Sequence, residues 1–411
     1  MTAETPRVRI QELRLEGFRA FENARLSLDD LTVLVGRNGA GKSTIIDAFE
    51  FLREALTDSL ESALERRGGF SALARKGELV RRELAIAVRL RVSSDFLNSV
   101  ARESGLAMRM SPGADADIQY GFCIGLRRGG TGFAVNDEVV RIEQESIVLF
   151  HRSQKEYEEA VKPPWARDAL ALQFLAQSEL SFRVVLEALR TTIGAYAFSS
   201  AAIRAEPPIG AASLLTRNGS NVGDVLKHVE KNKDDLAWVT RHLAAITPGL
   251  VGIKSGTAAG RRIVQFFQNS GGKTNTRFEI GDMSDGTLRC LAILLALRQR
   301  PAPAIVCIDE IEDSVHPAAL AVLLDAVAAS TERCQVLLTS HSPEALSHPA
   351  VTAGRVRVVE WHDGKSEIFR LSPGAEEMSR PPRSVGRLLR TNSLFTAEQP
   401  ERVEGDFFEG A

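Results

Sequence analysis

The sequence of 411 residues predicts an α/β fold with a mixed central sheet, into which an antiparallel β meander and a helical lobe are inserted. Three observations predict it. A glycine-rich loop, Gly36-Arg37-Asn38-Gly39-Ala40-Gly41-Lys42-Ser43-Thr44, stands between a buried-strand pattern and a helical one. A second apolar run, Ala304-Ile305-Val306-Cys307-Ile308, closes on two carboxylates, Asp309 and Glu310. Between them, Leu84, Ile86, Val88, Leu90 and Val92 alternate with Ala85, Ala87, Arg89 and Arg91, the period of a half-buried strand.

The loop fits G-x-x-x-x-G-K-[ST]. Leu31–Val35 ahead of it is a short, β-branched-rich apolar run that reads as a buried strand. Behind it, Ile45, Phe49, Leu52 and Leu56 recur at helical spacing, so a helix opens near Lys42. Glycines 36, 39 and 41 let backbone N–H groups turn inward around a phosphate, and the helix N-terminus adds partial positive charge. Arg37, Asn38, Gly39, Ala40, Gly41, Lys42, Ser43 and Thr44 are therefore the expected nucleotide-binding residues. Lys42 can reach the β- and γ-phosphates, and the Ser43 hydroxyl can ligate Mg²⁺. The motif in this setting predicts a nucleoside triphosphate ligand.

Composition narrows the class. Hydrophobic residues make up 44% and charged residues 25%, as in soluble globular domains. With 51 basic and 53 acidic residues the net charge is −2, so any nucleic-acid site must be a local patch. Cys123, Cys290, Cys307 and Cys334 show no C-x-x-C spacing, and Cys290 and Cys307 sit in apolar runs as expected core residues. Met1–Pro6 has no apolar signal core, and no stretch approaches the roughly 18 apolar residues of a membrane span. The expected setting is a reduced cytoplasm without membrane contact.

Along the chain, Val8, Ile10, Leu13, Leu15, Leu26 and Leu28 predict strands with a bulge near Gln11–Glu12 and a turn at Gly17–Phe21. Helical spacing runs from the phosphate loop to about Arg67, where Gly68-Gly69 breaks it. Strands at Tyr120–Leu126, Val139–Glu143 and Ile147–Phe150 complete the meander, with Gly129-Gly130-Thr131-Gly132 as a hairpin turn. Arg81, Arg82, Arg127 and Arg128 are better read as solvated edge charges than as phosphate contacts. Residues 165–192 and 222–246 read as helical, the second ended by Thr247-Pro248-Gly249. Strands resume at Ile263–Phe267, Arg277–Ile280, Arg355–Trp361 and Glu367–Leu371. The Arg380, Arg383, Arg387 and Arg390 stretch reads first as a solvated face, and an acidic end runs from Glu398 to Glu409.

The run 304–308 is a buried parallel strand whose C-terminal end delivers acids into the ligand crevice. There Asp309 can hold Mg²⁺ and Glu310 can orient an attacking water. A further buried strand, Val336–Thr339, ends at Ser340-His341-Ser342-Pro343, which points His341 at the γ-phosphate. No Asn-Lys-x-Asp string follows the acidic strand, so nothing reads guanine.

Phosphate loop, Met283-Ser284-Asp285-Gly286-Thr287 before a helix, strand–Asp309-Glu310 and strand–Ser340-His341-Ser342 resemble, in that order, the ABC-type ATPases of the RecF, SMC and overcoming-lysogenisation group. The opening Ile10-x-x-Leu13-x-Leu15-x-Gly17-Phe18-Arg19-x-Phe21 is similar to that group's first strands. Met283–Leu297 and Asn218–Asn221 are closest to its small stand-alone members, often labelled AAA-type, Septu-like defence ATPases among them. The resemblance spans residues 7–373. It implies a P-loop NTPase of ABC type that binds ATP and Mg²⁺. By the same resemblance, Ser284 and Gly286 form the signature that meets the γ-phosphate held by the other subunit. Glu312-Asp313-Ser314 would then line the interface of a dimer that sandwiches two ATPs. Asp285 departs from the glycine usual in such signatures, and the glutamine-loop role has no assigned residue, since Gln119 already lies in the meander.

The implied organisation is 1–82 as the N-terminal half of the head, 83–280 as the inserted meander and helical lobe, 281–373 as the C-terminal half, and 374–411 as a basic segment and acidic tail. Catalytic roles fall to Glu310, His341 and Lys42, and metal binding to Ser43 and Asp309. The first functional reading is an ATP hydrolase that drives or licenses action on DNA, in repair or phage defence, with a separately encoded effector. The alternative is an ATP-gated scaffold that restrains a separate nuclease or toxin with little turnover. A transporter subunit fits neither the N-terminal pattern nor the long insert. The short chain after His341 carries no second acidic cluster for a nuclease of its own.

Overall fold

The computed structural model describes residues 8–401 apart from 77–82, 106–110, 112, 128–131, 143–146, 154–165, 192, 206, 211, 270, 272–273, 381–382, 392 and 395. Arg81, Arg82, Arg128, Gly129–Thr131, Glu143 and the acidic end beyond Glu401 lie outside the described residues.

Fifteen strands are present among the described residues: β1 Val8–Phe18, β2 Phe21–Ser27, β3 Leu31–Val35, β4 Glu83–Val92, β5 Ala116–Leu126, β6 Phe133–Ile142, β7 Ile147–Ser153, β8 Ile193–Tyr196, β9 Leu250–Ala258, β10 Arg261–Gln268, β11 Thr276–Glu279, β12 Ile305–Ile308, β13 Gln335–Ser340, β14 Val356–His362 and β15 Lys365–Phe369. Twelve form one mixed sheet in the order β7-β6-β5-β4-β1-β2-β15-β14-β3-β13-β12-β8, and β11-β10-β9 form a second. Strands β14, β3, β13, β12 and β8 run parallel to one another. The half from β7 to β2 is an antiparallel meander. The mixed α/β sheet expected from the sequence is thus present. Segment 83–280, expected as an insert, supplies β4–β8 to that same sheet. The β1–β4 register shifts between Ile10 and Glu12, where the change of phase places the bulge.

Strands β3, β8, β12 and β13 are buried on both faces, and their residues are accordingly mostly apolar. On one face Leu34, Ile305, Cys307 and Leu337 pack under the helix Lys42–Thr57 and the helix Leu180–Arg190. On the other, Val33, Val35, Val306, Ile308 and Leu338 pack under the helix Asp285–Arg298 and the helix Pro317–Ser330. All four cysteines are buried and free, with burial pushing the Cys290 thiol up to about 12.

Several boundaries differ from the periodicity. The expected helix to Arg67 stops at Thr57, because Ser59 turns extended and its hydroxyl caps a new helix, Leu60–Glu65, through the Ser62 N–H. The helical stretch 222–246 is likewise two helices, Val222–Val229 and Lys233–Ile246, split by Asn232, whose side chain accepts from the Asp234 and Asp235 N–H groups. Residues 165–192 hold the helices Ala171–Leu175 and Leu180–Arg190, and β8 follows immediately. Strands β8 and β9 were missing from the periodic pattern.

The central sheet has a weak seam. Strands β2 and β15 share a single bridge, Ser366 to Phe21. The segment before Glu401 fills the gap: Ala397 N–H donates to Arg370 O (2.9 Å), Glu401 N–H to Ile368 O (2.6 Å) and Arg25 N–H to Glu401 O (3.0 Å). The Glu401 carboxylate takes Ser27 N–H at 3.2 Å and lies 2.7 Å from Arg370 Nε and 3.4 Å from Nε of the buried Arg357.

Candidate nucleotide-binding site

The C-terminal ends of three neighbouring parallel strands build the site. Strand β3 runs into the glycine loop, β13 into His341 and β12 into Asp309 and Glu310, with β13 in the middle. Ligand crevices form at such strand ends. The loop turns at Gly36 with φ +156°, where a Cβ would stand 2.1 Å from the Val359 carbonyl oxygen of β14, so only glycine fits. Gly41 precedes the helix Lys42–Thr57, whose first N–H groups face the loop. Arg37, Asn38, Gly39 and Ser43 are exposed, Thr44 half-buried and Ala40 buried.

Lys42 is buried, and its ammonium donates to Gly36 O (2.7 Å) and Arg37 O (3.0 Å). Burial lowers its pKa, while the charges of Glu310, Asp309 and Glu312 favour the ammonium. Lys42 therefore lies within the field of the acidic turn. Ser43 Oγ is 3.1 Å from Asp309 Oδ1. Two such oxygens beside an anion-binding loop are hard donors of the kind Mg²⁺ takes, so the residues fit that ion. Among the described residues no group of three or more His, Cys, Asp or Glu side chains forms a metal cluster.

The acidic turn is held by Thr339 and Arg289, which had no role assigned from the sequence, and by Glu312, which the resemblance placed at a dimer interface. Thr339 Oγ1 donates to Asp309 Oδ1 (2.6 Å) and accepts the Glu310 N–H (2.7 Å). Glu310 sits at φ +48°, an uncommon conformation for a side-chain-bearing residue. Glu312 Oε1 accepts the His341 N–H (2.6 Å) and lies 3.0 Å from His341 Nδ1, which orients a ring that is half exposed. Arg289, 4% exposed, donates to the carbonyls of Phe198, Asp309 and Glu310. A hydroxyl closing a buried strand, and an arginine inside an apolar helix, were the available signals. Buried cations need partners.

Ser284 and Gly286 stand apart from the loop, at the N-terminus of the helix Asp285–Arg298. Ser284 caps it, accepting the Thr287 N–H at 3.2 Å. A Cβ on Gly286 would stand 2.6 Å from the Ser314 carbonyl oxygen. Arg204 pairs with Asp285 and donates to Met283 O (2.6 Å), fixing the segment from outside. A cavity of about 190 Å³ lies here between Phe198, Ser200, Asp285, Arg289, Asp313 and Ser314. Behind the phosphate loop, Asp47 and Glu50 of its helix meet Arg19, Arg67 and Arg217. Of the peripheral arginines, Arg127 pairs with Asp168 and Arg390 with Glu344, each at 2.7 Å, while Arg380, Arg383 and Arg387 are exposed. Gln119 lies in β5 opposite Arg89 and Arg141. Among the described residues no helix is long and apolar enough to cross a membrane.

Residues 130–347 match the family described as "AAA domain, putative AbiEii toxin, Type IV TA system", and residues 9–181 match "AAA ATPase domain". No curated protein matches the chain. The SMC head bound to the C-winged helix domain of ScpA is similar in fold at 15% identity and a TM-score of 0.53, covering 89% of this chain and 98% of that one. The SMC head with a coiled coil and joint from Pyrococcus yayanosii shares 12% identity at a TM-score of 0.49, over 94% of this chain and 99% of that one. The SMC head from Thermotoga maritima also shares 12%, at 0.44, over 89% and 99%. The fold is that of a P-loop ATPase head of ABC type, as the order of motifs implied, and the chain belongs to the AAA-domain family that its residues 130–347 match.

Proposed function

We propose that the chain binds ATP with Mg²⁺ and hydrolyses it in a dimer that sandwiches two nucleotides between heads, so that turnover drives or licenses action on DNA by a separately encoded effector, in defence or repair. The observation that carries the reading is the convergence of Lys42, Ser43, Asp309, Glu310 and the Glu312-oriented His341 on three adjacent strand ends. In this reading the loop N–H groups and Lys42 hold the phosphates, and Ser43 and Asp309 hold Mg²⁺, which would screen the phosphate charge. Glu310 orients and deprotonates the attacking water, and His341 donates to the γ-phosphate. Ser284 and Gly286 contact the nucleotide of the other subunit, and residues 281–373 act with 1–82 as one head. A partner protein seated on the head, as the ScpA domain is on its SMC head, fits the same plan.

Sizing with light scattering tests this, run without nucleotide, with ATP–Mg²⁺, and on Glu310→Gln with ATP–Mg²⁺, while phosphate release is followed. Association that ATP induces and Glu310→Gln traps, alongside wild-type turnover, is the expected result. A constant assembly with negligible turnover would replace it with the scaffold reading, in which nucleotide holds an effector in check.

A further inference from the structure

The N-terminal half of the helix Asp285–Arg298 is bound to the acidic turn of its own chain along one face. Gly286 and Arg289, three residues apart, share that face. At Gly286 the backbones touch: there is no room for a Cβ against Ser314 O. One turn on, Arg289 Nη1 donates to Phe198 O (2.6 Å), and Nη2 donates to both Asp309 O (2.8 Å) and Glu310 O (2.7 Å). Asp313 Oδ2 lies 3.5 Å from Nη1. A planar guanidinium can meet this set of carbonyls in a fixed fork, which an ammonium cannot copy.

What the fork holds is a strained residue. Glu310 takes φ +48°, a conformation that persists only where its surroundings over-determine it. Here the surroundings are Thr339 on the N–H and Arg289 on the carbonyl. The Glu310 side chain is exposed toward the site, so both of its backbone anchors set where the carboxylate points.

We infer that Arg289 is a positioning residue: it fixes the backbone of Glu310 to the helix that begins at Ser284 and Gly286, so that displacement of this helix re-aims the Glu310 carboxylate. The inference rests on the reading of Glu310 as the water-orienting group. If the helix N-terminus meets the other subunit's nucleotide, occupancy of one site is passed to the base of the other through a single side chain. Arg289 is 4% exposed, and its Nη groups are taken up by backbone carbonyls.

The test uses the full chain as wild type, Arg289→Met and Arg289→Lys. Steady-state ATP hydrolysis is one readout. Hydrogen exchange of the peptide spanning 309–314 is the other, set against peptides spanning 36–46, 285–298 and 305–308. For Arg289→Met the expected kcat falls about 10- to 100-fold, as for a misplaced catalytic group. KM for ATP stays within about twofold, since the phosphate loop is untouched. Exchange at 309–314 rises about tenfold while the comparison peptides hold. Arg289→Lys, which keeps the charge without the fork, falls between the two and serves alone if Arg289→Met does not fold. Wild-type kcat in either variant, or exchange rising equally across 285–298 and 305–308, overturns the inference, the latter by marking a general packing role. If the wild type hydrolyses no ATP, the hydrolase reading fails by itself. The exchange comparison then still decides the point: a rise confined to 309–314 upholds the clamp, and no rise removes it.

Discussion

The Ser43 hydroxyl stands 3.1 Å from Asp309 Oδ1, a pair separated by 266 positions in sequence. Strand β13 lies between β3 and β12, the strands that lead to them, and its Thr339 hydroxyl bonds the same Asp309 oxygen at 2.6 Å. In the proposed reading both oxygens face Mg²⁺, so losing either should weaken Mg²⁺ rather than ATP. Ser43→Ala is expected to raise the Mg²⁺ concentration for half-maximal hydrolysis about 10- to 100-fold, the range for a disturbed metal site. A magnesium titration at saturating ATP reads this directly, and EDTA should abolish turnover.

Glu310→Gln keeps the shape and the backbone anchors of Glu310 but cannot accept a proton. Its turnover should fall about 10²- to 10⁴-fold, the worth of a positioned general base. Binding of a fluorescent ATP analogue should be unchanged, whereas Lys42→Ala should lose it. Near-normal hydrolysis by Glu310→Gln would remove Glu310 from the chemistry.

Gly286→Ala introduces a Cβ 2.6 Å from the Ser314 carbonyl oxygen, and Ser314 itself sits at φ +59°. Because a backbone atom must move, the substitution should cost about 1–3 kcal/mol, as overpacking does. Thermal unfolding would show it. A melting temperature equal to wild type would mean that the helix end and the acidic turn part easily.

Glu401, seated in the β2–β15 seam, lies 3.4 Å from Nε of Arg357 in the neighbouring β14, whose side chain is 1% exposed. Glu401→Ala leaves that guanidinium with Asp29 and the carbonyls of Gly354 and Val356. The expected loss is about 1–3 kcal/mol, the range for a buried polar group deprived of a partner. Glu401→Gln should lose less, and urea unfolding distinguishes the two.

Glu138 gives a pH signature. It is fully buried and accepts from Tyr120 Oη (3.1 Å) and from the N–H groups of Ala171 (2.7 Å) and Leu172 (3.0 Å). Burial raises its pKa above the ordinary 4.5, although those two N–H groups and Arg152 work against the rise. The folded state therefore keeps a proton that the unfolded state releases. Stability contributed by the protonated form is complete below 4.5 and declines as pH climbs toward the raised value. Glu138→Gln should flatten this decline, so wild type minus variant falls with rising pH in urea midpoints taken between about pH 4 and 7.

Much of this arrangement was readable where a local pattern was long or chemically particular. The phosphate loop, the apolar run into Asp309-Glu310, the meander of β4–β7 and the bulge at Gln11 are such cases. Four residues, Ile193-Gly194-Ala195-Tyr196, are too few to show a period, which is why β8 escaped notice. Ser59 and Asn232 break helices whose apolar spacing continues beyond them, because a cap is one polar residue and periodicity averages over it. Thr339, Glu312 and Arg289 act through backbone groups distant in sequence, and only the sheet order brings those partners within reach.

Strand β3 lies between β13 and β14, which arrive some three hundred residues later. A ribosome adding about 5–20 residues per second therefore spends tens of seconds with the phosphate-loop strand made but unflanked. Throughout that time the nascent chain has Gly36–Thr44 and lacks the β14 backbone against which Gly36 turns. In the proposed reading nucleotide joins a loop that is completed only after the early steps of folding, and a chaperone meeting the growing chain meets the bare Leu31–Val35.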